Sequence, residues 1–261
     1  GAINTPKVLM LSGIGDAALL SDQGIGLVQH LPGVGRNFQD HILVAGCCWE
    51  YPEPQASRNN SAEFTFFTKS DPALITPDLQ PVLEECAFSS EITRSQYQLP
   101  VDPSLAWTLA PGLVRPHSRG QVLLTGNRFI DPVRIEANFL SDERDVKALL
   151  KGIELCREIG NSAPLKPFVK RELMPGRLSS ADMLEFLRSA AGTYFHQTCT
   201  AKMGIDALSV VDGRLRVYGI EGLRIADGSI MPEITTGNTM APCMLIGQRA
   251  ADMIRLDIGL S

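Results

Sequence analysis

The chain has 261 residues, 44% of them hydrophobic and 20% charged, and its formal net charge is −5. That length builds one large or two ordinary domains, and the balance is that of a globular protein with no basic nucleic-acid surface. No apolar run approaches the roughly 20 residues that span a bilayer. Six cysteines occur without a C-x-x-C pair, so they read as mostly buried thiols rather than a disulfide framework. His196 and Cys199 form a lone H-x-x-C with no second ligand pair at metal-site spacing, which gives no metal site.

In chain order, Thr5-Pro6 is a helix-start signal that predicts a short helix to about Leu11. A second helix is expected from Asp16 to a C-cap at Gly24, then a short strand over 25–31 closed by Pro32-Gly33-Val34-Gly35. Phe64 and Phe66 alternate with Glu63 and Thr65, and 122–125 is another candidate strand. Between them, 71–81 carries three prolines and reads as an irregular loop. Val133, Ile135, Ala137 and Phe139 alternate with polar residues, the period-2 pattern of an antiparallel strand with one buried face. Ser141 is the expected cap of a long helix with Val146, Leu149, Leu150, Ile153 and Cys156 on one face, ending at Gly160. A further helix is expected from Ser179 to about Arg188, strands over 215–217 and 223–226, and a buried helix in "NTMAPCMLIGQRAADMI".

The stretch "KVLMLSGIGDAALL" offers Gly13, Gly15 and Ala18 in G-x-G-x-x-A spacing. A dinucleotide-binding turn needs a strand before those glycines and an acidic residue ending the next strand. Here Thr5-Pro6 signals a helix before them, and the next candidate strand ends at His30. A pyrophosphate cradle is therefore not the expected role of these glycines.

With its left flank the same stretch becomes "GAINTPKVLMLSGIG", which carries Gly-Ala, Thr-Pro, two aliphatics and Ser-Gly-aliphatic-Gly. It resembles the second signature of the glucose–methanol–choline (GMC) family of FAD-dependent oxidoreductases. "LPGVGRNFQDH", "PHSRGQVLL", "IEANFLSDERDV", "FHQTCTAKMG" and "LRIADGSIMPEITTGNTMAP" resemble later family segments in the same order. Two departures stand out. No G-x-G-x-x-G turn precedes the signature, so the expectation is the C-terminal portion of a longer protein, its N-terminal FAD-binding half missing or supplied as a separate chain. In addition, "HQTCT" stands where the family more often has H-P-x-G-T, which puts Cys199 in the glycine position.

The resemblance implies a mixed α/β (α+β) fold: a partial FAD-binding domain from 1–43 and 190–261, and an antiparallel-sheet substrate domain backed by helices from 44–189. It implies FAD as cofactor, a small-molecule alcohol as substrate, and oxidation to an aldehyde or ketone with hydride passing to flavin N5. A non-redox lyase on the same fold, and a non-catalytic fragment or half of a split enzyme, stay open as alternatives. No nucleic-acid partner or membrane span is expected.

His196 matches the family's catalytic histidine, and an imidazole with a pKa of about 6.5 suits removal of a hydroxyl proton. Asn238 matches the position of an Asn or His that donates to the substrate oxygen; as bare residues, Gly237-Asn238 would be a turn and cap. Asp227 and Gly228 match a flavin contact, though alone they read as a tight turn. Asn238, Thr239 and Met240 would lead into a helix whose positive end faces the flavin ring. His30 and His117 are expected to be structural or exposed, and His41 to lie in an FAD-domain loop. Phe64, Phe66 and Trp107 are candidate pocket residues that more often pack a core. Asn59-Asn60-Ser61 is a glycosylation sequon.

Overall fold

The computed structural model describes residues 1–56, 58, 60 and 62–259; Asn59 and Ser61 of the sequon lie outside the described residues. The chain begins with helix α1 (Asn4–Leu11), strand β1 (Ile14–Gly15), helix α2 (Ala17–Asp22) and strands β2 (Gln29–His30) and β3 (Arg36–Phe38). Next come β4 (Ile42–Val44), β5 (Cys48–Glu50), β6 (Ala62–Thr65), β7 (Val82–Glu84), α3 (Glu91–Tyr97), β8 (Ala106–Ala110) and β9 (Gly112–Leu113). The remainder supplies β10 (Gly120–Leu124), β11 (Val133–Glu136), α4 (Glu143–Gly160), β12 (Arg171–Met174), α5 (Ser180–Ala190), β13 (Ala191–Thr193) and α6 (Met240–Asp257). The fold is a mixture of helices and mainly antiparallel sheets. It divides into two compact units: unit 1 comprises 1–40, 118–138 and 195–261, and unit 2 comprises 41–117 and 139–194.

In unit 1, α1 forms where the Thr-Pro signal predicts, with Leu9 and Met10 buried and Val8 exposed. Gly13 follows at φ +78°, where a Cβ would lie 2.4 Å from the Gly26 carbonyl oxygen. Only glycine permits that approach, and it lets β1 pair in parallel with β2, Ile14 beside Gln29. A helix precedes the glycine run and a backbone occupies the space above it, so the dinucleotide turn is ruled out. Asp16 caps α2 by accepting from the N–H groups of Ala18 and Leu19. The expected strand over 25–31 shrinks to Gln29–His30.

Strands β11, β10 and β3 form an antiparallel sheet in that order. The alternation at 133–136 does give a strand, but its apolar face is not buried: Ile135 is 46% exposed. As an edge strand, β11 lies outside the cover that α1 gives to β10. The strands expected at 215–217 and 223–226 reduce to single bridges, Val211 with Val217 and Arg216 with Arg224. Leu215, at φ +66°, breaks the extended run. The expected buried helix also needs correction. In α6 only Ala250 is buried, while Met244 and Leu245 are more than 60% exposed. The C-terminal end of α6 is tied by Asp257, which accepts from Arg214, Arg216 and Arg224.

Unit 2 is built on a five-stranded antiparallel sheet of order β12-β5-β8-β7-β6, with a second sheet β13-β4-β9. Trp49 of β5 and Trp107 of β8 face each other in register and stack with ring centroids 4.5 Å apart. Both indole N–H groups find acceptors, Trp49 on Asn161 Oδ1 and Trp107 on the Phe168 carbonyl, each at 3.1 Å. Trp107 is therefore a core residue, and Phe64 is exposed. The long helix α4 turns Leu149, Ile153 and Cys156 into this core as the periodicity predicts. Its cap, however, is Asp142, which accepts from the Arg144 N–H, rather than Ser141. Ser179 caps α5 as expected. The irregular loop at 71–81 is present, and all six cysteines are free, four of them buried.

Candidate active site

The segment that carries His196 is irregular chain, held from both sides within unit 1. On one side, Gln39 and Thr198 exchange main-chain hydrogen bonds of 3.2 and 2.9 Å. On the other, the N–H groups of Cys199, Ala201 and Met203 donate to the carbonyls of Gly228, Ser229 and Ile230 at 3.1, 2.8 and 2.7 Å. Cys199 sits at φ +74°, a left-handed conformation that the family's glycine would adopt without strain. Its side chain is fully buried, burial pushes the thiol up to about 12, and it touches the Thr198 hydroxyl. This thiol is inert packing, not a nucleophile.

The segment 37–40 ties the loops together with side chains. Asp40, almost fully buried, accepts from the His196 main-chain N–H at 2.9 Å through Oδ1 and from the Gln197 amide at 3.1 Å through Oδ2. Asn37 donates to the carbonyls of Cys199 and Pro232, at 3.3 and 3.0 Å. Gln39 donates to the Pro232 carbonyl and accepts from the Ile234 N–H, at 3.3 and 3.2 Å. The His196 segment and the 232–239 loop therefore share one polar scaffold.

Across these loops the Nδ2 of Asn238 lies 3.1 Å from Nε2 of His196. With the amide donating, Nε2 is the unprotonated nitrogen of a neutral imidazole. Burial lowers the His196 pKa from its ordinary value, which favours that neutral form. A hydroxyl entering here could donate to Nε2 while accepting from Nδ2. The two sequence candidates that are 42 positions apart thus meet at one point.

The remaining candidates surround the start of α6. Asp227 accepts from the Thr5 hydroxyl at 2.7 Å and from the Ser229 N–H at 2.8 Å. Burial pushes its carboxyl up, but these hydrogen bonds outweigh it and hold the pKa below the usual carboxylate value. A Cβ on Gly228 would lie 3.1 Å from Cys243 Sγ, one turn into α6. Thr239 is the buried N-cap and Met240 the first residue of this 18-residue helix, and no side chain caps it. The Ser229 hydroxyl is fully buried and has no hydrogen-bond partner.

Asn37, Gln39 and Asp40 were visible in the sequence only as part of a family-like segment. Their local signal was polarity: three hydrogen-bonding side chains around Phe38, immediately before the apolar run 42–44. Buried polar groups require partners, but the partners here lie some 150 to 200 positions away. His30 instead accepts from the Ala17 N–H at the start of α2, and His41 is buried against Tyr194 in unit 2.

The His–Asn contact and the uncapped helix start thus lie on a mixed helix–sheet fold. Family models described as GMC oxidoreductase match residues 1–43 and 116–247. The chain belongs to the GMC oxidoreductase family. It is 34% identical over 280 residues to an alcohol dehydrogenase [acceptor] of Pseudomonas putida, covering 97% of this chain and 50% of that protein. It is 35% identical over 284 residues to an oxygen-dependent choline dehydrogenase of Pseudomonas aeruginosa (strain LESB58), covering 98% and 49%. Among solved structures it matches pyridoxine 4-oxidase from Mesorbium loti with a TM-score of 0.91 and 32% identity, covering 97% of this chain and 49% of that one. The chain spans about half the length of these relatives.

Proposed function

We propose that the protein carrying this chain is an FAD-dependent alcohol oxidoreductase, with His196 and Asn238 as its catalytic pair. The observation that carries the reading is the 3.1 Å contact between His196 Nε2 and Asn238 Nδ2. FAD, when bound, supplies the acceptor for the hydride that leaves the alcohol carbon. The donor set fits such a group: a helix start without a side-chain cap, the buried Ser229 hydroxyl without a partner, and Gly228 packed closely on α6. An uncapped helix N-terminus favours negative charge, and Asp227, Gly228, Asn238, Thr239 and Met240 would hold the cofactor there.

His196 takes the proton of the substrate hydroxyl at Nε2, the atom kept unprotonated by burial. Asn238 Nδ2, released from Nε2 as the hydroxyl enters, donates to the oxygen as negative charge develops on it. Unit 2, the antiparallel sheet backed by helices, is the proposed substrate-binding part, and unit 1 the FAD-domain part. An alcohol as substrate class is supported by relatives named for alcohol, choline and pyridoxine. Because the chain spans half of those relatives, the remaining half of such a protein is proposed to supply the ADP-binding part of the FAD site.

The test is His196→Ala in the complete protein, with flavin reduction by alcohol followed by stopped-flow absorbance. The rate constant should fall on the order of 10²–10⁴-fold, the contribution of a positioned base. Near-normal reduction in that variant would sink the assignment.

A further inference from the structure

The structure shows what holds the loop that carries His196. In H-P-x-G-T a proline follows the histidine; here Gln197 does, and Cys199 fills the glycine position. Proline locks φ without help from any partner. Glutamine leaves the residue after His196 free to rotate, and Cys199 must be kept at φ +74°, which costs about 1–2 kcal/mol for a residue with a Cβ. Such strain persists only where the surroundings over-determine it. One buried carboxylate touches both relevant groups. Asp40 binds the His196 N–H with one oxygen and the Gln197 amide with the other, at 2.9 and 3.1 Å.

We propose that Asp40 is a positioning residue for the reaction: its clamp on His196 and Gln197 fixes Nε2 against Asn238. The inference rests on the proposed function, since it assigns Asp40 to the support of that same pair. The carboxylate grips the backbone N–H of His196, so it acts on the main-chain geometry of the loop. A gain in precision of about 1 Å matters here, since misplacement by that distance costs on the order of 100-fold in rate. Asn37 and Gln39 hold the Pro232 carbonyl from the same segment, six residues before Asn238.

The experiment compares variants of the complete protein, single and in a His196→Ala background, by flavin-reduction rate, with flavin content and the histidine ring resonances as checks. Asp40→Ala should slow reduction about 10–100-fold and shift the His196 ring resonances. Asp40→Asn keeps an acceptor for the His196 N–H and should stay within about threefold of the parent, which a bulk requirement for the charge would not allow. Gln197→Ala, which removes one of the two bonds, should cost about threefold, and it serves where Asp40→Ala does not fold. In a His196→Ala background, Asp40→Ala and Gln197→Ala should add nothing, because the group they position is gone. A full additive loss in that background overturns the clamp. So does an Asp40→Asn variant as slow as Asp40→Ala. A fast His196→Ala protein overturns the proposed function itself, so the two failures are distinguishable.

Discussion

Unit 2 organises itself around one cluster of buried side chains, among them Ile42, Trp49, Leu79, Leu149 and Met174, drawn from both of its sheets and from α4. Unit 1 also has an apolar core, around Leu20, Val34, Val211 and Ile230, but its candidate functional residues sit outside it. They sit on loops fixed by Asn37, Gln39 and Asp40 through polar contacts to distant backbone. The contrast is between packing, which tolerates small shifts in any one contact, and a few directional bonds, which fix atoms to tenths of an ångström. The scaffold of a protein can be made by the first, whereas a reacting geometry needs the second.

That contrast can be broken or sharpened by experiment. Trp49→Ala should cost about 3–5 kcal/mol of stability in urea unfolding, since a fully buried ring is removed from the core. The titration of the His196 ring should stay where it is; a shift would show that core and site are not separable. The pH dependence probes the site alone. The pKa of His196 is lowered by burial, so kcat/KM should be flat at neutral pH and fall only below about 6.5, ten-fold per unit, as the imidazole is protonated. A limb centred above that value would mean another group is the base. The smallest effect is expected for Cys199→Gly. Relief of the left-handed strain and loss of the buried thiol oppose each other, so stability should change by no more than about 1 kcal/mol in either direction. A loss of several would mean the side chain, not the backbone, shapes the loop.

Much of unit 2 was legible because burial imposes a period. The face of α4 with Leu149, Ile153 and Cys156 and the Ser179 cap of α5 are local rules that the structure repeats. The choice of Asp142 over Ser141 as cap shows the resolution of such rules, since two adjacent residues compete for one role. In unit 1 the same rules failed where a single dihedral intervened: Leu215, at φ +66°, ends an extended run that its neighbours favour. Edge position defeated the period-2 argument at Ile135, because alternation says which residues share a face but not whether anything covers it. His196 and Asn238 were named through a resemblance, and no local pattern states that they meet. The role of Asp40 was invisible for the same reason, as its partners lie more than 150 positions away.

The bond from Thr5 to Asp227 closes a chain segment of 222 residues. Closing so long a loop is thermodynamically cheap, about 0.6 kcal/mol for each doubling of length, but it is slow, because distant parts must first find each other. Unit 2 has all of its residues once position 194 has been made, whereas unit 1 waits for 195–261. During synthesis the packed core is therefore available for folding first. The segment 37–40 must wait for the last quarter of the chain before its bonds to His196, Cys199 and Pro232 exist.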